Sequence, residues 1–144
     1  MKFKRLTNNI IAVRLFPGDD PAECLAQLSE HAHIAGVVSG IGVLEWAEIG
    51  FFDLQKKQYI RKRFDEHMEM LALMGNISYK DGKPIVHLHT VLGRKDFSTI
   101  GGHFFAGAVS GTCEIIIIPW GKDELQRAHD EFTGLNLWDI AEKP

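Results

Sequence analysis

The residues of this chain best suited to chemistry are three histidines. His87 and His89 lie one residue apart in Pro84-Ile-Val-His-Leu-His-Thr90, and His103 follows two glycines in Gly101-Gly-His-Phe104. Strand side chains alternate faces, so His87 and His89 share one surface while Leu88 points into apolar packing. The two glycines allow a close backbone approach or a sharp turn that brings His103 to the same place. Three neutral imidazoles with a fourth position open are a recognised way of holding zinc for chemistry, whereas closed structural sites usually use cysteine. An H-x-H pair alone is common among core and interface histidines, and the added Gly-Gly-His segment is what favours a metal site. His31, His33, His67 and His129 lack that setting and read as ordinary; the first two lie near a helix end, where histidine complements the terminal carbonyls.

These residues need a scaffold, and the sequence outlines one. Asn9 to Phe16 reads as a strand ending at the turn Pro17-Gly18. Asp19 or Asp20 caps a helix with Pro21 at its first position, Ala22, Leu25, Ala26 and Leu28 at helical spacing, and an end near His33. Apolar runs then follow at Gly36 to Ile41, Val43 to Asp53, Gln58 to Phe64, His67 to Tyr79, Pro84 to Leu92, Gly102 to Val109 and Thr112 to Trp120. Short links between them imply mostly antiparallel pairing. The expectation is a single α+β domain over residues 1–144, a mostly antiparallel sheet flanked by one or two helices.

Two short breaks set register. Asp81-Gly82 has the composition of a type I′ hairpin turn; with Lys80 facing Lys83, Asn76 lies opposite His87 and Met74 opposite His89. Asn76 is therefore a candidate neighbour of the site. Ser110-Gly111 is a weaker turn signal that would join the last two strands and place Gly107 opposite Glu114. Glu69 and Glu114 stand inside apolar strands, where a carboxylate needs a charge, hydrogen bonds or an exposed face. An outward face or subunit contact is the plainer reading for both; a base or a partner to a metal ligand is the functional one. Beyond Trp120 the chain is ambiguous: Asp123 to Phe132 suits a short helix or an extended piece closed at Thr133-Gly134, and Trp138 with Leu135 and Leu137 suits a terminal anchor.

The 144 residues include 45% apolar and 24% charged side chains, an ordinary globular balance, and the net charge of -3 gives no general attraction for nucleic acid or anionic membrane. Cys24 and Cys113 form neither a zinc motif nor a disulfide framework, which fits a reducing cytoplasmic setting. No run has the length of a signal peptide core or a membrane span. No Walker loop, dinucleotide fingerprint, nucleophile elbow or H-E-x-x-H helix is present. One basic segment, with Lys56, Lys57, Arg61, Lys62 and Arg63 around Tyr59, is a candidate phosphate-contacting patch; a solvated edge strand kept from pairing by its charges is the alternative.

Ile41-Gly42-Val43-Leu44, the run Met68 to Ser78 with its Gly-Asn-Ile-Ser end, Asp81-Gly82-Lys83-Pro84, His87-Leu88-His89 and Gly101-Gly102-His103 occur in an order that resembles the PPC (plant and prokaryote conserved) domain. The likeness runs from about Ile10 to Trp120. It implies a fold built around an antiparallel sheet, assembly as a homotrimer and, as in some prokaryotic members, a metal, zinc in expectation, at His87, His89 and His103. In plants the domain follows AT-hooks in nuclear DNA-binding proteins, whereas this chain resembles the stand-alone prokaryotic type and lacks the Arg-Gly-Arg-Pro core of an AT-hook. Two functions follow as expectations. One is a metal-binding homotrimer, DNA-associated or regulatory, touching DNA through the basic segment. The other is a small-molecule enzyme or ligand sensor built on a three-histidine zinc, with Asn76, Glu69 and Glu114 as ligand-binding or supporting residues.

Overall fold

Asp20 begins the helix as its composition requires: its carboxylate accepts the backbone N–H groups of Ala22 and Glu23 at 2.8 and 3.1 Å, and Pro21 occupies the first turn. In the computed structural model, which describes residues 1–121 and 124–140, this helix, α1, spans Pro21–Ala32 and ends where His33 turns left-handed at φ 50°. Pro21, Cys24, Leu25, Leu28 and Ser29 are its buried residues, and the helix packs against the sheet.

Strands β1 (Lys2–Arg5) and β2 (Ile11–Leu15) precede α1; β3 (Gly36–Asp53), β4 (Gln58–Phe64), β5 (Met68–Lys80), β6 (Lys83–Gly93) and β7 (Thr99–Pro119) follow it. They form a seven-stranded antiparallel sheet in the order β1-β2-β7-β6-β5-β3-β4. β3 also pairs with β7, so β3, β5, β6 and β7 form a closed cycle of pairings. Ile11, Val13, Leu15, Val38, Leu44, Leu73, Ile77, Leu88, Leu92, Ile115 and Ile117 are buried and make one core with Leu25 and Leu28. An α+β fold with a mostly antiparallel sheet and, among the described residues, one α-helix is thus observed.

The Asp81-Gly82 hairpin has the expected form. Both residues have positive φ, 52° and 75°, and Lys80 faces Lys83, Asn76 faces His87 and Met74 faces His89.

Ser110-Gly111 does not behave alike. Neither residue has a positive φ, and β7 runs through them as one strand, so the two expected strands Gly102–Val109 and Thr112–Trp120 are one. Gly107 lies opposite Ala47, and Glu114 opposite Ile41 and Arg14, not opposite each other. The physical reason is the long partner β3, which continues the ladder past this point while register shifts near Gly42 and Leu44 absorb the irregularity as bulges. β3 is likewise one strand through Gly42, where a break between Ile41 and Val43 was expected; the irregularity there is a register shift between Gly40 and Gly42.

The ambiguous tail is extended. β8 (Arg127–His129) pairs with β9 (Asn136–Trp138), and the turn between them is held by the Asp130 carboxylate, which accepts from Thr133 N–H and Oγ1 at 2.7 Å each. Asp123 lies outside the described residues. The Trp138 ring meets Trp120 edge-on at 6.1 Å, anchoring this hairpin to the end of β7.

Candidate metal centre

β6 carries His87 and His89 on the sheet face opposite the core, with Leu88 between them fully buried beneath. β7 runs beside β6 with His103 directly opposite His89. The two glycines before it explain that approach: a Cβ on Gly101 would stand 2.8 Å from the Thr90 carbonyl oxygen, and one on Gly102 would stand 2.6 Å from that of Gly50. Any larger residue would push β7 off one of its neighbours. At Gly75, beneath the site on β5, a Cβ would overlap the His87 carbonyl oxygen.

The three imidazoles form a triangle. Their centroids are 5.1 Å (His87 and His103) and 5.3 Å (His89 with each of the others) apart, and one nitrogen from each lies within 4.8 Å of the other two. Nitrogens sharing one tetrahedral zinc at about 2.0–2.1 Å stand roughly 3.4 Å apart, so a modest rotation of the rings closes the triangle on an ion. Burial lowers the His103 pKa to about 4, helped by His87, His89 and Arg61. The His87 pKa is lowered in the same way, by burial first and then by Arg127 and His89. Near neutral pH both rings are therefore uncharged and offer the lone pairs that metal binding needs.

Two residues that the sequence did not assign to the histidine site border the triangle. Tyr59, on edge strand β4, has its hydroxyl 3.5 Å from His103 Nδ1 and its ring 4.8 Å from the imidazole. Arg127 of β8 has Nη2 3.5 Å from His87 Nδ1. Contacts this long orient rings more than they hold them. Asn76 is present as the hairpin register required, and its Oδ1 accepts from Arg127 Nη2 at 2.8 Å. A shallow groove of about 290 Å³, lined by Met74, His89, Val91 and Gly102 among others, opens beside the cluster.

Glu69 and Glu114 are not part of it. Both line a second groove of about 420 Å³ with Ile41, Val43, Leu71 and Thr112. Glu69 is seven residues along β5 from Asn76, roughly 20 Å at strand rise. The long, unbroken β5 and β7 carry these carboxylates away from the histidines.

The basic segment lies at the β4 edge, and much of its charge is already engaged. Arg61 pairs with Glu48 at 2.7 Å and lies over Phe105; Arg63 pairs with Asp65 at 2.7 Å and lies over Trp46. Lys56 Nζ is 3.5 Å from the Asp53 carboxylate. Lys57 donates to the Glu131 carbonyl oxygen at 2.6 Å, and Lys62 sits over the Phe64 ring.

This geometry coincides with a family pattern: the Plants and Prokaryotes Conserved (PCC) domain matches residues 4–121. The chain belongs to the PCC domain family. A metal-containing protein of Archaeoglobus fulgidus is 38% identical, with a TM-score of 0.85 over 96% of this chain and 99% of that one. A plant- and prokaryote-conserved protein of Pyrococcus horikoshii is 28% identical, with a TM-score of 0.86 over 99% and 97%. A candidate DNA-binding protein of Bacteroides thetaiotaomicron is also 28% identical, with a TM-score of 0.91 over 96% of both chains. The chain matches no curated protein sequence.

Proposed function

We propose that this PCC-domain protein is a homotrimeric metal-binding protein in which His87, His89 and His103 hold zinc and leave a coordination position for a small molecule. The observation that carries this reading is the convergence of three imidazole nitrogens within 4.8 Å on one sheet face. When bound at such a site, zinc polarises a carbonyl or lowers the pKa of coordinated water toward 7. The chain's own part is to keep His87 and His103 neutral by burial, to orient their rings with Arg127 and Tyr59, and to hold Arg127 through Asn76. The metal-containing relative from Archaeoglobus fulgidus supports the same reading.

The trimer is supported by the face that a single chain leaves uncovered. Ile41 and Met74 are 60% and 61% exposed, and Leu71, Val91 and Ile118 are exposed with them. Apolar area of this kind is what a subunit interface buries. Buried, unbonded Cys24 and Cys113 suit a reducing cytoplasm. No helix among the described residues is long and apolar enough to cross a membrane.

Metal analysis after chelation and reloading tests the reading, with sedimentation as the check on assembly. Wild type should retain close to one zinc per chain and His87→Ala should lose it; equal content in the two proteins overturns the site.

A second reading, DNA association, draws on the name of the Bacteroides relative and on the basic β4 edge. Multiplied by symmetry, Lys57 and Lys62 would bind in a strongly salt-dependent way. A gel shift without retardation at low salt removes it.

A further inference from the structure

Arg127 is only 9% exposed, yet among the described residues no carboxylate pairs with it. Its hydrogen bonds all go to neutral acceptors: Nε donates to Ser78 Oγ at 2.6 Å, Nη1 to the Asn136 carbonyl oxygen at 2.7 Å and Nη2 to Asn76 Oδ1 at 2.8 Å. Guanidinium carries five N–H donors. These bonds leave one N–H on Nη1 without an acceptor and one on Nη2 that meets only the long, 3.5 Å contact to His87 Nδ1. A buried cation without a counter-ion is costly, and native structures pair such charges or give them a ligand. Here the fold places that cation against a histidine triangle with no ion-paired acid on it among the described residues.

We propose that the histidine site binds the carboxylate of a small organic acid and that Arg127 is the residue that recognises it. This rests on the preceding reading of the histidines as a ligand site and names the ligand class. One unengaged N–H and one held only by the long contact to His87 sit on the two terminal nitrogens of one planar guanidinium, the group suited to the two oxygens of a carboxylate. A phosphate is disfavoured because the site is built from strands β5, β6, β7 and β8, with no helix N-terminus aimed at it to cradle further oxygens. Asn76 and Ser78, neighbours on β5, fix the guanidinium in place, so little ordering remains to be done when the acid arrives.

The test uses zinc-loaded protein titrated with ¹³C-acetate at constant ionic strength and followed by NMR, with acetamide as the neutral isostere and inorganic phosphate as competitor. Acetate should bind saturably and acetamide should not. Arg127→Gln should weaken acetate tenfold or more, with affinities compared per zinc-loaded chain after the zinc content of each protein is measured. Arg127→Lys, which keeps the charge but loses the planar fork, should weaken it several-fold, and carries the comparison if circular dichroism shows Arg127→Gln unfolded. Equal acetate affinity in wild type and folded variants, binding of acetamide as tight as acetate, or phosphate displacing acetate at lower concentration would overturn the proposal. If wild type takes up no zinc, the metal reading fails by itself. The same titration on metal-free protein then decides: acetate binding that depends on Arg127 upholds the carboxylate assignment, and its absence overturns it.

Discussion

Acidification of the metal-free protein should expose how much the fold depends on keeping His103 uncharged. In the native chain this ring ionises at about 4, chiefly because it is buried and secondarily because His87, His89 and Arg61 surround it; in the unfolded chain it ionises near 6.5. Between those values the unfolded state binds more protons than the native state, so stability rises with pH, is complete above about 6.5 and is lost as pH falls toward 4. The full displacement corresponds to roughly 3 kcal/mol at 1.36 kcal/mol per pKa unit. His103 is only half-buried, and screening by solvent reduces this to about 1–2 kcal/mol. His87 adds in the same direction. Urea unfolding of chelator-treated protein, at fixed protein concentration and stepped from about pH 7 to about pH 4.5, measures the slope. His103→Gln removes the titrating ring while leaving every carboxylate that also titrates in acid, so the wild-type curve should fall more steeply than that of the variant by about 1–2 kcal/mol over the window. Parallel curves would refute the claim that burial depresses this ring.

Two further outcomes follow from the scaffold. Asp20→Ala removes the acceptor of two helix N–H groups and also of the Gly107 N–H, which the other carboxylate oxygen holds at 2.8 Å; thermal or urea unfolding should show a loss of about 2–3 kcal/mol, with Asp20→Asn losing less. Gly75→Ala forces a methyl onto the His87 carbonyl, separating β5 from β6 beneath the site. It should cost about 1–3 kcal/mol of stability and lower zinc retention, whereas Gly82→Ala, which meets no atom within 4 Å and strains only a positive-φ turn, should leave zinc retention intact.

Much of this protein is decided locally and could be read from residue order. The α1 start at Asp20-Pro21 and the Asp81-Gly82 turn depend on side chains acting on their own backbone within a few residues, and the turn alone fixes the pairing of Asn76 with His87. Alternation then places His87 and His89 on one face, and Gly101-Gly102 announces a strand squeezed between two neighbours. The histidine triangle was legible for these reasons. Long-range pairing decided the rest. Ser110-Gly111 has turn-like composition but lies within a strand, because β3 supplies partners across it. Glu69 and Glu114 stand in suitable strands but at the wrong distance, since strand length is set by what pairs alongside. Arg127, 24 residues beyond His103 in a stretch without periodicity, reaches His87 only because β8 docks beside β5, bringing its guanidinium to Ser78 and Asn76. The sequence by itself determined which imidazoles meet; the tertiary structure alone determined which charge stands beside them, because no local rule connects a residue to a neighbour that only packing provides.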